Sequence, residues 1–196
     1  TWAATILALI STASIVPDLI SSYDFGRARV LVDVGGGQGT LLKALLQYYP
    51  DVNGILFDTQ PAVDGALADL EPTTASRLTV ADGDFLKAVP PGGDIYILKL
   101  VLHNWPDHAA TTILRKCRQA IADTDASLLI IERIMPECLT PESAHVVASD
   151  LTMLTLFGGM ERTANHYRSL LADAGFSLTN ISHTSSPFSL LQAVPQ

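Results

Sequence analysis

The sequence predicts an α/β fold: a doubly wound sheet, mostly parallel, closed by an antiparallel C-terminal hairpin. Three observations predict it. Short apolar runs alternate with segments whose apolar residues recur at helical spacing, the pattern of strands buried between helices. The first apolar run leads directly into a glycine-rich turn and then a helix, as at the first strand-to-helix turn of an open α/β sheet. The last two runs flank Ser185-Ser186-Pro187, a turn suited to antiparallel partners.

Each element follows from its residues. The run 30–34 is apolar apart from one acid, as in a buried parallel strand. In 40–49, Leu41, Leu42, Leu45, Leu46 and Tyr49 share one helical face, and Pro50 ends it. A second strand covers 53–57, a helix 61–70, and a third strand 78–81. The loop Pro90-Pro91-Gly92-Gly93 precedes a fourth strand over 95–100. Ala110, Ile113, Leu114, Cys117 and Ile121 define the next helix, with Arg115, Lys116 and Arg118 on its other faces. A fifth strand covers 127–134. Helices are expected over 145–157 and 165–174, the latter closed by Gly175. Strands over 176–183 and 188–194 form the hairpin.

The bulk numbers exclude several classes. A chain of 196 residues suffices for one domain with a substantial core. A formal charge of −8 argues against nucleic acid as a partner. Charged residues make up 16%, below the roughly 25% of an ordinary domain. Some surface is therefore expected to be covered by something outside this chain. Two cysteines give no disulfide framework, and Cys117, on an apolar helix face, reads as a buried free thiol. The opening stretch 1–10 is apolar but has no basic flank and is too short to span a bilayer. No membrane association or secretion is expected, and a cytoplasmic location is. The chain does not open on Met, so 1–22 reads as a helical connector from a preceding segment and 23–196 as the main domain. His108, His145, His166 and His183 have no metal-ligand spacing, and no metal is expected.

Ligands of an open α/β sheet bind at the carboxyl ends of its strands. The first strand end carries Asp33-Val34-Gly35-Gly36-Gly37-Gln38-Gly39. A dinucleotide fingerprint needs G-x-G-x-x-G, and neither start fits: Thr40 and Gln38 stand where glycine is required. What fits is D-x-G-x-G-x-G through Asp33, Gly35, Gly37 and Gly39. An acid two residues before the first glycine suits a cofactor with a cationic amino-acid end, which points to S-adenosylmethionine. Asp58 ends the second strand, 23 residues after Gly35, where an acid accepts from ribose hydroxyls. Asp84-Phe85 follows the third strand and suits an adenine ring and its amine. Lys99, inside an apolar strand, needs a partner that a nearby cofactor site can supply.

Past the fourth strand comes Leu102-His103-Asn104-Trp105-Pro106-Asp107. A neutral imidazole at this strand end can take a proton near neutral pH, and a phenol, with a pKa near 10, needs such a base. On position alone His103 is a general base or a structural histidine. Glu132 and Glu161 are acids able to hold an imidazole tautomer, or plain surface or capping carboxylates.

Together the motifs resemble a known family. They are Leu31-Val32-Asp33-Val34-Gly35-Gly36-Gly37-Gln38-Gly39, Gly83-Asp84-Phe85, Leu102-His103-Asn104-Trp105-Pro106-Asp107, Glu132-Arg133-Ile134-Met135-Pro136 and Gly158-Gly159-Met160-Glu161-Arg162-Thr163. The chain resembles the S-adenosylmethionine-dependent small-molecule O-methyltransferases of the plant caffeate and flavonoid type. Bacterial relatives of these enzymes tailor polyketides and other secondary metabolites. The resemblance runs from Tyr23-Asp24-Phe25 to the final hairpin. It implies a Rossmann-like class I methyltransferase sheet and a small aromatic acceptor. It implies His103 as general base, flanked by Glu132 and Glu161. Gly35, Asp58, Asp84, Phe85 and Lys99 would contact the cofactor, with Asp33 and Gly37 of the same turn, leaving S-adenosylhomocysteine as product. Asp150, Met153 and Leu154 would lie on the helix that faces the acceptor. Homodimerisation would use an N-terminal helical domain, of which 2–14 would be the last helix. Asn104 departs from the aspartate of many relatives. Two other readings stay open: a relative doing decarboxylation, hydroxylation or pericyclic chemistry, and a cofactor-binding half that needs its missing domain.

Overall fold

Seven strands build the main sheet of the computed structural model, which describes residues 15–68, 70–122 and 124–196. They are β1 (Val30–Val34), β2 (Asn53–Asp58), β3 (Leu78–Asp82), β4 (Ile95–Lys99), β5 (Ser127–Glu132), β8 (Phe176–His183) and β9 (Ser189–Pro195). Two short strands, β6 (Ile134–Met135) and β7 (Arg162–Thr163), pair with each other apart from that sheet. The sheet order is β3-β2-β1-β4-β5-β9-β8. Strands β1 to β5 run parallel to one another, while β9 runs antiparallel to both β5 and β8. The chain moves outward from β1 to β3 and then crosses back to β4. The switch point between β1 and β4 opens a crevice at their carboxyl ends.

The period-two alternation of strands assigns residues to two cores. Tyr96 and Leu98 of β4 join Val32, Val34, Leu128 and Ile130 on one face; Ile97, Leu31, Leu129 and Ile131 face the other way. The helices are α1 (15–22), α2 (Thr40–Tyr48), α3 (Gln60–Val63), α4 (Pro72–Ala75), α5 (Asp107–Ile121), α6 (Ala144–Phe157) and α7 (Ala164–Asp173). The first core takes Ile113, Leu114 and Cys117 of α5 with Leu170 and Leu171 of α7. The second takes Ile15 and Leu19 of α1 with Leu41, Leu42, Leu45 and Leu46 of α2. Burying each of those leucines contributes roughly 2 kcal/mol. The helix expected over 2–14, and with it most of the connector expected over 1–22, lies outside the described residues.

Several expectations need correction. The helix expected over 61–70 is a single turn, Gln60–Val63. Gly65, at φ +79°, turns the chain out of it. The strand expected over 127–134 leaves the main sheet after Glu132, and Ile134–Met135 pairs with Arg162–Thr163 instead. β4 stops at Lys99 because Leu100 adopts φ +55°, a strained value for leucine. That residue starts the turn carrying His103. α6 is the least embedded long helix: Val146 is its buried residue, while Leu151, Leu154 and Leu156 are 56%, 58% and 61% exposed.

Candidate active site

The glycine turn is shaped by close approach. Gly35, Gly37 and Gly39 all take positive φ, 74°, 56° and 73°. A Cβ at Gly35 would sit 2.8 Å from Val101 and 3.5 Å from the Phe85 ring, so only glycine lets these side chains pack against the turn. A Cβ at Gly37 would meet nothing within 4 Å. The Asp58 carboxylate braces this turn, accepting from the Gly37 N–H at 2.9 Å and the Thr59 N–H at 2.7 Å. Each oxygen keeps a further lone pair. Asp33 lies beneath the turn, 2% exposed, with its carboxyl against Gly36. Burial pushes its pKa up to about 7, with Lys99 pulling it back and Asp58 raising it further. Burial pushes the Lys99 ammonium down, while the charges of Asp33 and Glu132 oppose that shift. Asp84 accepts from the Leu86 N–H at 2.9 Å and pairs with Lys87 at 3.2 Å, and both lower its pKa. Phe85 meets Trp105 edge-on, with ring centroids 5.9 Å apart.

His103 sits in a 3-10 turn over Leu102–Asn104 and is 6% exposed. Its Nδ1 lies 3.3 Å from Glu161 Oε1 and 3.5 Å from Glu132 Oε2. Its backbone N–H donates to Glu132 Oε1 at 3.3 Å. The network thus assigns the proton to Nδ1, leaving Nε2 as the acceptor nitrogen; Nε2 makes no hydrogen bond among the described residues. Burial alone would push the imidazole down, but Glu132 and the hydrogen-bonded Glu161 outweigh it, and its pKa lies above the ordinary 6.5. Burial pushes Glu132 up against the pull of His103. Burial acts the same way on Glu161, but His103 and the Ser149 hydroxyl, donating at 2.6 Å, hold it below the ordinary value. The donor atoms of His103, Glu132 and Glu161 lie within 4.8 Å of one another, a spacing a metal ion or the Nδ1 proton can fill.

Asp33, Gly35, Gly37, Asp58, Asp84, Phe85, Lys99, His103 and Glu132 lie at or just after the carboxyl ends of main-sheet strands, Glu161 lies just before β7, and Asp150, Met153 and Leu154 lie on α6. Leu154 is exposed. Met153 is half-buried on the same helix. Asp150 does not point to open solvent: it accepts from the Glu161 N–H at 2.8 Å and so helps hold that acid. Asn104 donates its amide to the Leu100 carbonyl at 3.1 Å, closing the turn in a way an aspartate cannot. Ser149 escaped sequence reasoning, and Arg162 entered it only within the motif 158–163, without a role. Ser149 carries no signal beyond lying next to Asp150. Arg162 had one, a cation following Glu161 in a charge-poor chain.

This fold and this site define a class. The model of the O-methyltransferase domain family matches residues 7–177, and the chain belongs to that family. It is 39% identical over 186 residues to the phenazine O-methyltransferase PhzM of Lysobacter antibioticus, covering 94% of this chain and 53% of that protein. It is 41% identical over 178 residues to the O-demethylpuromycin-O-methyltransferase of Streptomyces alboniger, covering 88% of this chain and 47% of that protein. Among solved structures it is similar to the O-methyltransferase NcsB1 from neocarzinostatin biosynthesis, in complex with S-adenosylmethionine and 2-hydroxy-5-methyl naphthoic acid. The TM-score is 0.85 at 30% identity, covering 98% of this chain and 57% of that one. The chain spans about half the length of the relatives it matches.

Proposed function

We propose that this chain is the catalytic part of an O-methyltransferase acting on a hydroxyl, phenolic in kind, of a small aromatic secondary metabolite. The observation that carries the reading is His103, buried at the cofactor crevice with Nδ1 held by two carboxylates and Nε2 unengaged. Family membership and the aromatic ligand of NcsB1 support the acceptor class.

The crevice fits S-adenosylmethionine on its own features. Gly37 leaves its backbone open to a ligand, and Asp58 keeps lone pairs for ribose hydroxyls. Asp33 offers a buried acid for a cationic amino-acid end, Phe85 a ring for adenine, and Lys99 and Asp84 complete the rim. When bound, that cofactor supplies a methyl group on a sulfonium sulfur. The chain's residues then do three things. His103 Nε2 accepts the hydroxyl proton of the acceptor. Glu132 and Glu161 stabilise the imidazolium that results and hold its orientation. The apolar walls of Val101, Trp105 and Phe85 keep water out, which strengthens the electrostatics within.

The acceptor lies on the α6 side, against Met153 and Leu154, with Asp150 supporting Glu161. An N-terminal helical domain of the whole protein covers the exposed leucines of α6 and forms the homodimer. The enzyme works in the cytoplasm, and no described helix is long and apolar enough to cross a membrane.

The test is incubation of the whole natural protein with S-adenosylmethionine and a panel of phenols, read by product mass. A product heavier by one CH₂ unit is expected. Acceptors turned over without that gain would replace methyl transfer with decarboxylation, hydroxylation or rearrangement.

A further inference from the structure

Arg162 is the largest side chain in the described fold without solvent exposure, at 0%. A buried guanidinium is costly unless its N–H groups are all directed at acceptors. Here they converge on the turn that carries His103. Nη1 donates to the Leu102 carbonyl at 2.9 Å and Nη2 to the Trp105 carbonyl at 2.6 Å. These carbonyls lie on either side of His103 in the chain. Nε donates to Asp107 Oδ1 at 3.0 Å, and the other oxygen of Asp107 meets His166 Nε2 at 2.9 Å. Asp107 opens α5, so the guanidinium is anchored to the longest helix among the described residues.

The segment carrying Arg162 grips the same turn a second time. The Met160 N–H donates to the His103 carbonyl at 2.9 Å. Gly159 lies so close to the backbone of Asn104 that a Cβ there would be 2.6 Å from the Asn104 carbonyl carbon. Between these grips the segment delivers Glu161 to His103 Nδ1. The separation of imidazole and carboxylate is therefore set by the backbone docking of 159–162 on 102–105.

We propose that Arg162, anchored by Asp107, is a positioning residue for methyl transfer: it locks the 102–105 turn so that Nδ1 stays on Glu161 and Nε2 faces the acceptor. The proposal rests on the reading of His103 as the base. A planar fork with five N–H donors spans two carbonyls and a carboxylate; a lysine ammonium, a single point, cannot. The groups facing His103 are Glu132, Glu161 and Arg133, so a slipped turn changes how the ring titrates.

The test uses Arg162→Lys, Asp107→Asn and His103→Ala in the whole natural protein. NMR of the labelled imidazoles reads the tautomer and titration of His103. Calorimetry reads affinity for S-adenosylmethionine, thermal melting reads folding, and product mass reads transfer. Arg162→Lys is expected to fold and to bind S-adenosylmethionine within about twofold of wild type. His103 should lose its single Nδ1–H tautomer and titrate nearer the free value of about 6.5, and transfer should fall about 100-fold, the cost of a displacement near 1 Å. Asp107→Asn should move the same readouts less. If Arg162→Lys does not fold, Asp107→Asn decides alone. An unchanged tautomer and titration in the folded variants would overturn the proposal, as would a loss of cofactor affinity matching the loss of transfer. His103→Ala with transfer intact would remove the base instead, a result separate from the NMR outcome.

Discussion

The close approach of Gly159 to the turn carrying His103 involves no functional group, and Gly159→Ala isolates it. The φ of Gly159 is not positive, so alanine meets no backbone penalty there. Its Cβ would lie 2.6 Å from the carbonyl carbon of Asn104, 2.9 Å from its Cα, and closer still to the His103 carbonyl oxygen. Ordinary contact begins near 3.4 Å, so the two backbones must separate by close to 1 Å. That separation also weakens the 2.9 Å hydrogen bond from Met160 to His103. Overpacking of this kind costs about 1–3 kcal/mol of stability. A 1 Å misplacement of a catalytic group costs about 100-fold in rate, or about 2.7 kcal/mol of barrier. The glycine turn that carries the cofactor reading lies on other strands, so affinity for S-adenosylmethionine should stay within about twofold. The assay pairs calorimetry with steady-state methyl transfer and a thermal melt. A folded Gly159→Ala protein with wild-type turnover would refute the claim that backbone docking sets the position of His103.

Two further outcomes follow from titration. The His103 pKa is raised, and the base must be neutral to act, so turnover should climb with pH through a midpoint above 6.5. Glu132→Gln removes the largest raising charge and should shift that midpoint to lower pH; a midpoint that rises would contradict it. The matching stability contribution is full below the unfolded value of about 6.5 and fades as pH rises through the folded one. Asp33 has a consequence of the same sign for the ligand-free fold. Its pKa is raised from 3.8 to about 7, so its contribution is full below the unfolded value and is lost as pH rises through the folded one. Asp33→Asn should therefore stabilise the ligand-free protein at pH 8, by up to about 4 kcal/mol, while weakening S-adenosylmethionine binding. A lower melting temperature at pH 8 would contradict the buried-charge account.

Much of this was legible in the sequence because the relevant signals are local. Strands β1, β4 and β5 are near-continuous apolar runs, and α5 shows its buried face at i, i+3, i+4 and i+7, so each announces itself within one window. The glycine turn is equally local: its glycines at 35, 37 and 39 are the residues with positive φ. What escaped depends on distant pairing. The chain's departure from the main sheet after Glu132 follows from Ile134 and Met135 pairing with Arg162 and Thr163, a partnership no local pattern encodes. The short α3 shows the same limit, since its helical composition was overruled by Gly65. At the site, Glu132 and Glu161 were visible as acids, but their convergence on one imidazole nitrogen depends on β5 and β7 meeting beside the β4 turn. Ser149 and Arg162 act only through that convergence, which is why neither role was legible in the sequence alone.

The central claim is that His103 is the base of methyl transfer, and His103→Ala tests it most directly. The side chain makes its hydrogen bond to Glu161 and none to the glycine turn, so its removal should leave S-adenosylmethionine affinity within about twofold. Loss of a general base costs typically 100- to 10,000-fold, or about 3–5 kcal/mol of barrier. Calorimetry with S-adenosylmethionine and mass detection of the methylated phenol, run on the same preparation, should show binding retained and the CH₂ gain nearly abolished. Methylation at the wild-type rate by a His103→Ala protein that binds the cofactor would contradict the account.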